Sequence, residues 1–489
     1  MTEGDGHLPA LPLLIDDSPR EECGVFGVWA PGEDVANLIF FGLYALQHRG
    51  QEAAGMAVSD GGRVVVYKDI GLVAQVFTET NLAALDGHIG IGHTRYSTTG
   101  SSTWENAQPT FRSVPHRNDS VALGHNGNLT NTLELATRVV KGGNGGLMST
   151  TDSDIVTALL AQHEGTLQEA LLEIMPTLRG AFSFVIMDET TVYAARDPAG
   201  VRPLSIGRLA SGGWVVASET CALDIVGAQF VRDVEPGEVV AIDGEGLRSW
   251  IFAKPVPKLC IFEYVYLSRP DSVLTGKTVH QVRREMGKLL ARESPVDADL
   301  VIGVPDTGPV AAAGYAEQSG IPYGEGLIKN RYVGRTFIQP TQTLRQMGIR
   351  LKLNPLREAI KGKRLIVVDD SIVRGNTTRQ IVKMLREAGA TEVHLRITSP
   401  PIRWPCYYGI DMATRAELVA TDLSVEEICQ FIGADSLAYL SLPALVRSTG
   451  QDQDSFCRAC FDGIYPIETP EDPDRPKFIL EPAPPRAEA

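Results

Sequence analysis

The run Arg364-Leu-Ile-Val-Val-Asp-Asp-Ser-Ile-Val-Arg-Gly-Asn-Thr-Thr378 limits the fold more than any other stretch of the chain. Leu365 to Val368 are apolar and mostly β-branched, the pattern of a parallel strand buried on both faces. From Asn376 onward Ile381, Val382, Met384 and Leu385 recur at helical spacing, and Gly389 stops the helix. Asp370 to Gly375 must then turn at the carboxyl end of the strand and feed a helix start. Free backbone N–H groups and the helix dipole favour an anion there. Ser371, Thr377 and Thr378 add hydroxyl donors, and Gly375 permits close backbone approach. Asp369 and Asp370 would repel a phosphate unless they accept hydrogen bonds from sugar hydroxyls or hold a divalent cation that the phosphates share. The expected ligand therefore carries both a ribose diol and phosphates. Two acids that merely cap a helix would not need this density of hydroxyls.

Asp299 to Gly314 reads as another buried strand, a tight turn and a small-residue helix. Between the two turns, Lys329 to Lys352 holds six basic residues and no acid, in a chain of formal charge −15. Such a local excess asks for an anion. A solvated basic surface and a nucleic-acid patch are the other readings; Gly334, Pro340 and Gly348 as breakers favour a mobile lid. The Asp369-Asp370 loop resembles the signature of the type I phosphoribosyltransferases, which bind phosphoribosyl pyrophosphate (PRPP). That family usually has Thr where this chain has Asn376, which also donates a hydrogen bond. The resemblance implies that Asp369, Asp370, Ser371, Arg374, Gly375, Asn376, Thr377 and Thr378 bind PRPP. It further implies that Asp306, Thr307 and Gly308 hold the pyrophosphate, and that Lys329, Arg331 and Arg335 close over it and exclude water. One Mg2+ per subunit would be held by Thr307, Asp369 and Asp370. The alternating strands and helices of this half fit an α/β fold with a doubly wound parallel sheet, whose ligands bind at strand carboxyl ends.

The front half begins with residues 1–22, polar, acidic and Pro-containing without period, and expected to be disordered. Cys23 then opens a strand pattern. Alone it would be a small buried strand residue, but the segments that follow change its meaning. They are Leu46-Gln-His-Arg-Gly50, Gly92-His-Thr-Arg-Tyr-Ser-Thr98, Gly124-His-Asn-Gly-Asn128 and Thr151-Asp-Ser-Asp154, then Arg179 to Met187 with the alternation of a half-buried strand. In this order, Cys23 to Trp250 resemble the N-terminal-nucleophile glutamine amidotransferases, which implies an α+β, αββα-sandwich domain.

That resemblance makes residues 1–22 a propeptide whose removal frees the α-amine of Cys23. An amine of pKa ~8 is a competent base beside a thiol of pKa ~8.5, which leaves His48, His93 and His125 to structure. Asn126 and the N–H of Gly127 would stabilise the oxyanion. Arg95, with Thr98 nearby, would fork onto the glutamine carboxylate, and Asp152 would take the α-ammonium. Otherwise Arg95 is a surface ion pair and Asp152 a helix cap.

Pro255 and Pro257 break the pattern after Arg248, which sets a glutaminase domain at 23–252, a phosphoribosyltransferase domain at 253–466 and a Pro- and acid-rich disordered tail at 467–489. At 489 residues the chain exceeds one core. With both families on one chain, the implied enzyme is a glutamine-dependent glycosyltransferase. Ammonia from glutamine would displace pyrophosphate from PRPP with inversion, giving 5-phosphoribosylamine, the opening step of purine (IMP) biosynthesis. The families also imply purine nucleotides as feedback ligands, a homotetramer and an apolar passage for ammonia. A pI near 5.2 argues against nucleic acid as a partner. No apolar run approaches the ~18 residues of a membrane span, and Leu8 to Ile15 lacks the basic flank of a secretory signal. Seven cysteines, an odd number, suit a reducing cytoplasm.

Cys457-Arg-Ala-Cys460 alone could mark zinc, iron–sulfur, a redox pair or nothing. With Cys260 and Cys406 it is similar to the ligand set of one [4Fe–4S] cluster per subunit in the propeptide-processed subgroup of such enzymes. Zinc on four cysteines is the alternative. Cys221 and Cys429 lie in apolar patterns and are expected in the core. Two rivals remain at this stage. An amino-sugar-forming amidotransferase is opposed by the double-Asp loop and basic lid, and a PRPP-sensing DNA-binding regulator by the acidic charge and the glutaminase set.

Overall fold

A computed structural model describes residues 22–96, 101–143, 146–330, 352–410, 415–469 and 480. Its first half is built from two stacked antiparallel sheets. In spatial order one contains Gln229–Asp233, Ser205–Arg208, Trp214–Ala217, Gly24–Trp29, Ile89–Arg95, Ala53–Ser59 and Val64–Ile70. The other contains Gly246–Ile251, Glu238–Asp243, Val192–Arg196, Gly180–Met187, Asp119–Leu129 and Thr110–Val114. Val25, Ala57, Ile91, Val185, Ala194 and Val216 interdigitate between the sheets. Helices cover both outer faces: Val35–Ala45 and Thr220–Ile225 on one, Asp152–Gln162 and Leu167–Ile174 on the other.

This layering explains one departure from sequence expectation. Gly180–Met187 alternates as a half-buried strand would, yet all of it is buried. Phe182, Phe184 and Ile186 face the helices while Val185 and Met187 face the opposite sheet, so neither side meets water.

In the second half, Leu300–Gly303, Arg364–Asp369, Glu392–Ile397 and Ser436–Tyr439 form a parallel sheet in that order. Tyr323 bridges Val301 in parallel on the outer side, so the chain first steps one way from Leu300–Gly303 and then returns past it. The strand order therefore reverses between the first two strands, and a crevice at their carboxyl ends is the expected ligand position. Alternate residues point to opposite faces. Val301, Ile366 and Val368 pack against the helices Val279–Glu293 and Gly308–Ser319, whereas Leu300, Ile302, Leu365 and Val367 pack against Asn376–Glu387 and Val425–Ile432.

The halves are continuous. Residues 256–260 run alongside 198–201, with Val256 and Cys260 N–H groups donating to Pro198 and Val201 carbonyls at 2.8 and 3.0 Å. Ala181, Ala199 and Val201 sit in the same apolar cluster as the second-half helices. Residues 1–21 and most of the tail lie outside the described residues, but Glu22 is buried. Ile467 accepts a 2.5 Å hydrogen bond from the Tyr408 hydroxyl, and Leu480 packs on the outer helices of the first half, because each meets an apolar surface that would otherwise face water. Cys429, expected in the core, is half-buried with Sγ 3.4 Å from the Ala434 carbonyl; its helix presents it towards the surface side of the packed face. Cys221 is buried as expected. No helix among the described residues is long and apolar enough to cross a membrane.

Candidate active sites

Cys23 immediately precedes the strand Gly24–Trp29, which is paired on both sides. Its buried thiol lies against the backbone of Tyr96, with Sγ 3.3 Å from the carbonyl and 3.4 Å from the N–H. In the uncut chain burial pushes this thiol up to about 12, although the Tyr96 N–H and Arg95 pull the other way. A thiolate therefore needs a nearby base.

Sequence reasoning missed the residue that holds Cys23 in place. Arg49, 1% exposed, donates from Nε to the Cys23 carbonyl at 3.1 Å. Its two Nη atoms reach Glu263 at 3.0 and 2.9 Å, and one also reaches Glu219 at 2.6 Å. Glu219 comes from the first half and Glu263 from the second, so both halves fix the nucleophile's backbone. The available signal was an arginine in the polar stretch Gln47-His48-Arg49-Gly50-Gln51 that follows the helix Val35–Ala45, set between two strands of buried residues.

The histidines are engaged elsewhere. His48 lies 2.7 Å from Glu219, His93 lies 2.9 Å from the His125 carbonyl, and His125 faces Ser153 and Asp152 at 3.3 and 3.6 Å. Burial lowers His93 to about 3, which keeps it neutral at physiological pH.

The Ser218 hydroxyl accepts from the Val25 N–H at 2.9 Å and lies 3.4 Å from Asn126 Nδ2, linking the nucleophile's strand to the facing sheet. Asn126 Oδ1 is buried without a hydrogen-bond partner among the described residues. Buried polar atoms are normally satisfied, so this oxygen has acceptor capacity in reserve for a ligand N–H, while Nδ2 is the donor an oxyanion would use. Gly127 sits at φ +146, and a Cβ there would meet the Ala181 carbonyl oxygen at 2.1 Å, so only glycine fits. Arg95 is buried, 3.1 Å from the Ser101 carbonyl, and within electrostatic reach of Cys23 and Asp152. Thr151, not Asp152, caps the helix Asp152–Gln162, accepting from the Asp154 N–H at 3.3 Å. Burial would raise the Asp152 carboxyl, but His125 and the N–H groups of Leu129 and Ser153 hold it below the usual range. Thr98 lies outside the described residues.

The second constellation occupies the switch point of the parallel sheet. The turn Asp306-Thr307 leads into the helix Gly308–Ser319, and the turn Asp370 to Gly375 leads into Asn376–Glu387. The Thr307 hydroxyl donates across the crevice to Asp370, Ser371 donates to the same carboxylate at 2.6 Å, and the Asp370 N–H donates to Asp369 at 2.9 Å. Gly375 has φ +80, and Asn376, Thr377 and Thr378 form the first helical turn, Thr378 being buried. Burial and mutual repulsion push the Asp369 carboxyl well up. Burial also raises Asp370, against the Ser371 and Thr307 hydroxyls and Arg283. A divalent cation would relieve both. Lys329 pairs with Asp306, and Arg374 lies 3.3 Å from Glu417. Arg331 and Arg335 lie outside the described residues.

The four cysteines come together from three segments of the chain. Leu259–Cys260 pairs in parallel with Phe456–Cys457, placing Cys260 opposite Cys457. Cys460 lies in the helix Ala459–Asp462, and Cys406 in a loop where the Tyr408 N–H lies 3.4 Å from its sulfur. Burial pushes all four thiols up; the Cys460 thiol feels the other three, and Arg202 offsets Cys260, Cys406 and Cys457. None forms a disulfide. Among the described residues no three His, Cys, Asp or Glu side chains gather tightly enough to hold a single ion. A soft, all-thiol donor set, three of its four members buried and a guanidinium beside it, fits a thiolate-bound metal group.

A glutamine amidotransferase sandwich joined through a shared core to a phosphoribosyltransferase sheet is the class these two halves define. Family models agree: a glutamine amidotransferase domain matches residues 93–224 and a phosphoribosyl transferase domain residues 273–398. The amidophosphoribosyltransferase of Mycobacterium tuberculosis is 62% identical over 95% of this chain and 90% of its own length. That of Bacillus subtilis is 50% identical over 93% and 96%. The solved glutamine PRPP amidotransferase of Bacillus subtilis, complexed with ADP and GMP, superposes with a TM-score of 0.86 at 48% identity, covering 92% of this chain and 98% of that one. The chain belongs to the amidophosphoribosyltransferase family.

Proposed function

We propose that this chain makes 5-phosphoribosylamine from PRPP and glutamine, the opening step of purine synthesis, with Cys23 as the glutaminase nucleophile and the Asp369-Asp370 loop as the PRPP site. The observation that supports this reading is the direct contact between the surroundings of Cys23 and the second half of the chain. Asn128 beside the oxyanion residues donates to the Tyr407 carbonyl at 3.1 Å, and Arg49 spans from Cys23 to Glu263.

Removal of residues 1–22 gives Cys23 an α-amine that takes its thiol proton. The thiolate attacks the side-chain amide of glutamine, whose carboxylate Arg95 and Thr98 receive and whose α-ammonium Asp152 receives. The Asn126 amide and Gly127 N–H hold the developing oxyanion, ammonia leaves, and water clears the thioester. At the second site Asp369 and Asp370 orient the ribose diol. The N–H groups of both turns, Ser371, Asn376, Thr377 and Thr378 hold phosphates, while Lys329, Arg331, Arg335 and Arg374 receive the departing pyrophosphate. A magnesium ion, when bound, supplies charge neutralisation for that leaving group, with Thr307, Asp369 and Asp370 to hold it. Asp152→Ala should raise the KM for glutamine about 10- to 100-fold, the worth of a lost charged contact, while synthesis from ammonium salts stays unchanged. Equal loss on both nitrogen sources would refute the assignment.

Cys260, Cys406, Cys457 and Cys460 carry one [4Fe–4S] cluster with a structural role, tying the start of the second domain to its end. Anaerobically purified protein should contain about four iron and four acid-labile sulfide per chain, and Cys406→Ser should lose them. About one zinc without visible absorption would establish the alternative. Purine nucleotides are the expected feedback ligands, and a cytoplasmic homotetramer the expected form; the Bacillus subtilis relative was solved with ADP and GMP.

A further inference from the structure

One buried cation belongs to the surroundings of both sites, and the following inference rests on the function proposed for them. Arg283 lies in the helix Val279–Glu293 and is 2% exposed. Its Nε and Nη2 donate to the carbonyls of Tyr264 and Ser268, both at 2.8 Å. Tyr264 lies in, and Ser268 just past, a single turn of π-helix, Glu263–Leu267, closed by the Ser268 N–H on the Glu263 carbonyl at 3.1 Å. Such turns are rare and recur at functional sites. This one sets the Glu263 carboxylate against Arg49, which donates to the Cys23 carbonyl. The Ser268 hydroxyl donates to the same carboxylate at 2.5 Å, and Arg202, which also pairs with Glu22, lies 3.4 Å from it. Arg283 therefore pins the turn that steadies Arg49.

The same guanidinium answers to the second site. Burial pulls Arg283 down to about 10, which leaves it charged at neutral pH, and Asp370 is the acid whose charge it feels most, ahead of Glu219 and Glu263. Arg283 in turn opposes the rise that burial imposes on Asp370. Its Nη1 makes no hydrogen bond among the described residues. Helix packing fixes its place relative to the crevice. Gly287 and Gly314 let the helices Val279–Glu293 and Gly308–Ser319 touch backbone to backbone, since a Cβ on either would collide with the Ala311 or the Arg284 carbonyl. The second helix starts at the Thr307 turn, whose hydroxyl donates to Asp370. A neutral amide could satisfy two backbone carbonyls. Keeping a full charge out of water costs stability, so the charge itself needs a purpose, and Asp370 supplies one.

We propose that Arg283 is a positioning residue common to both reactions: its fork fixes the Glu263–Leu267 turn, and through Arg49 the backbone of Cys23, while its charge holds Asp370 and its loop ready for PRPP. No bond forms or breaks at Arg283. The two duties rest on different properties of one side chain. The first needs paired N–H donors at a fixed angle, which a guanidinium offers and an ammonium does not. The second needs a positive charge, which either supplies. Substitution can therefore separate them.

Arg283→Lys and Arg283→Met, expressed as the full chain, would be compared with wild type. Synthesis from ammonium salts reports on the second site alone, and synthesis from glutamine on both. Arg283→Lys should keep the KM for PRPP within about twofold of wild type in the ammonium assay, while kcat with glutamine falls about tenfold. Arg283→Met should lose both, its KM for PRPP rising about tenfold with either nitrogen source. Ser268→Ala, which leaves Arg283 in place, should lower kcat with glutamine and leave the ammonium assay at the wild-type level. A purely structural role would move the melting temperature and all rates together, and that pattern in Arg283→Lys would overturn the proposal. Wild-type kcat with glutamine in Arg283→Lys would overturn it too, as would an unchanged KM for PRPP in Arg283→Met. Should Arg283→Met not fold, the result for Arg283→Lys alone decides. Wild-type enzyme that makes no phosphoribosylamine from ammonium salts would overturn the proposed function itself, and this inference with it.

Discussion

Cys23→Ala should reduce phosphoribosylamine synthesis from glutamine at least ~10^3-fold, the usual scale for removing a covalent nucleophile. Synthesis from ammonium salts should persist at the wild-type order of magnitude, since the second site keeps all of its groups. The contrast is the informative part. Arg49 still pairs with Glu219 and Glu263 when residue 23 is alanine, because it contacts only the backbone carbonyl there. Melting temperature should therefore stay within a few degrees. Rates from the two nitrogen sources, measured on one preparation, check this, and parallel loss would mean that the variant disturbs the whole chain.

The second large effect runs the other way. Asp369→Ala combined with Asp370→Ala should abolish synthesis from both nitrogen sources, by ~10^3-fold or more in kcat/KM for PRPP. The pair must be changed together, because Thr307 and Ser371 both donate to Asp370 and the Asp370 N–H donates to Asp369, so either acid could partly cover for the other. The ligand-free variant should melt no lower than wild type: two carboxylates held side by side, Asp370 buried and Asp369 half-buried, cost stability until a cation or ligand arrives. Lost activity with retained stability is the signature of groups kept for a ligand. Loss of both would point to scaffolding.

The parts of this molecule readable in the sequence are those whose chemistry is local. The strand, turn and helix from Arg364 to Glu387 were legible because apolar spacing, two acids and three hydroxyls fall within one short window. A helix start at Thr151-Asp-Ser-Asp154 also followed from neighbours in sequence, although the capping side chain proved to be Thr151 and not Asp152. What could not be read was partnership at a distance. Arg49 meets Glu219 and Glu263 across 170 and 214 positions, and no periodicity carries that information. Arg202 and Glu22 were hidden for the same reason. Gly180–Met187 misled in a different way: alternation of residue type says that two faces differ, not that one of them is wet.

Arg49 has one more implication, for modularity. A fragment ending at residue 252 would keep Arg49 and Glu219 but forfeit Glu263, and would uncover Ala181, Ala199 and Val201. A buried cation short of one counter-ion typically costs several kcal/mol, which is a large share of a domain's stability. The glutaminase is thus not a portable cassette. Exchange of front halves between distant enzymes should yield insoluble chimeras unless the segment bearing Glu263 travels along.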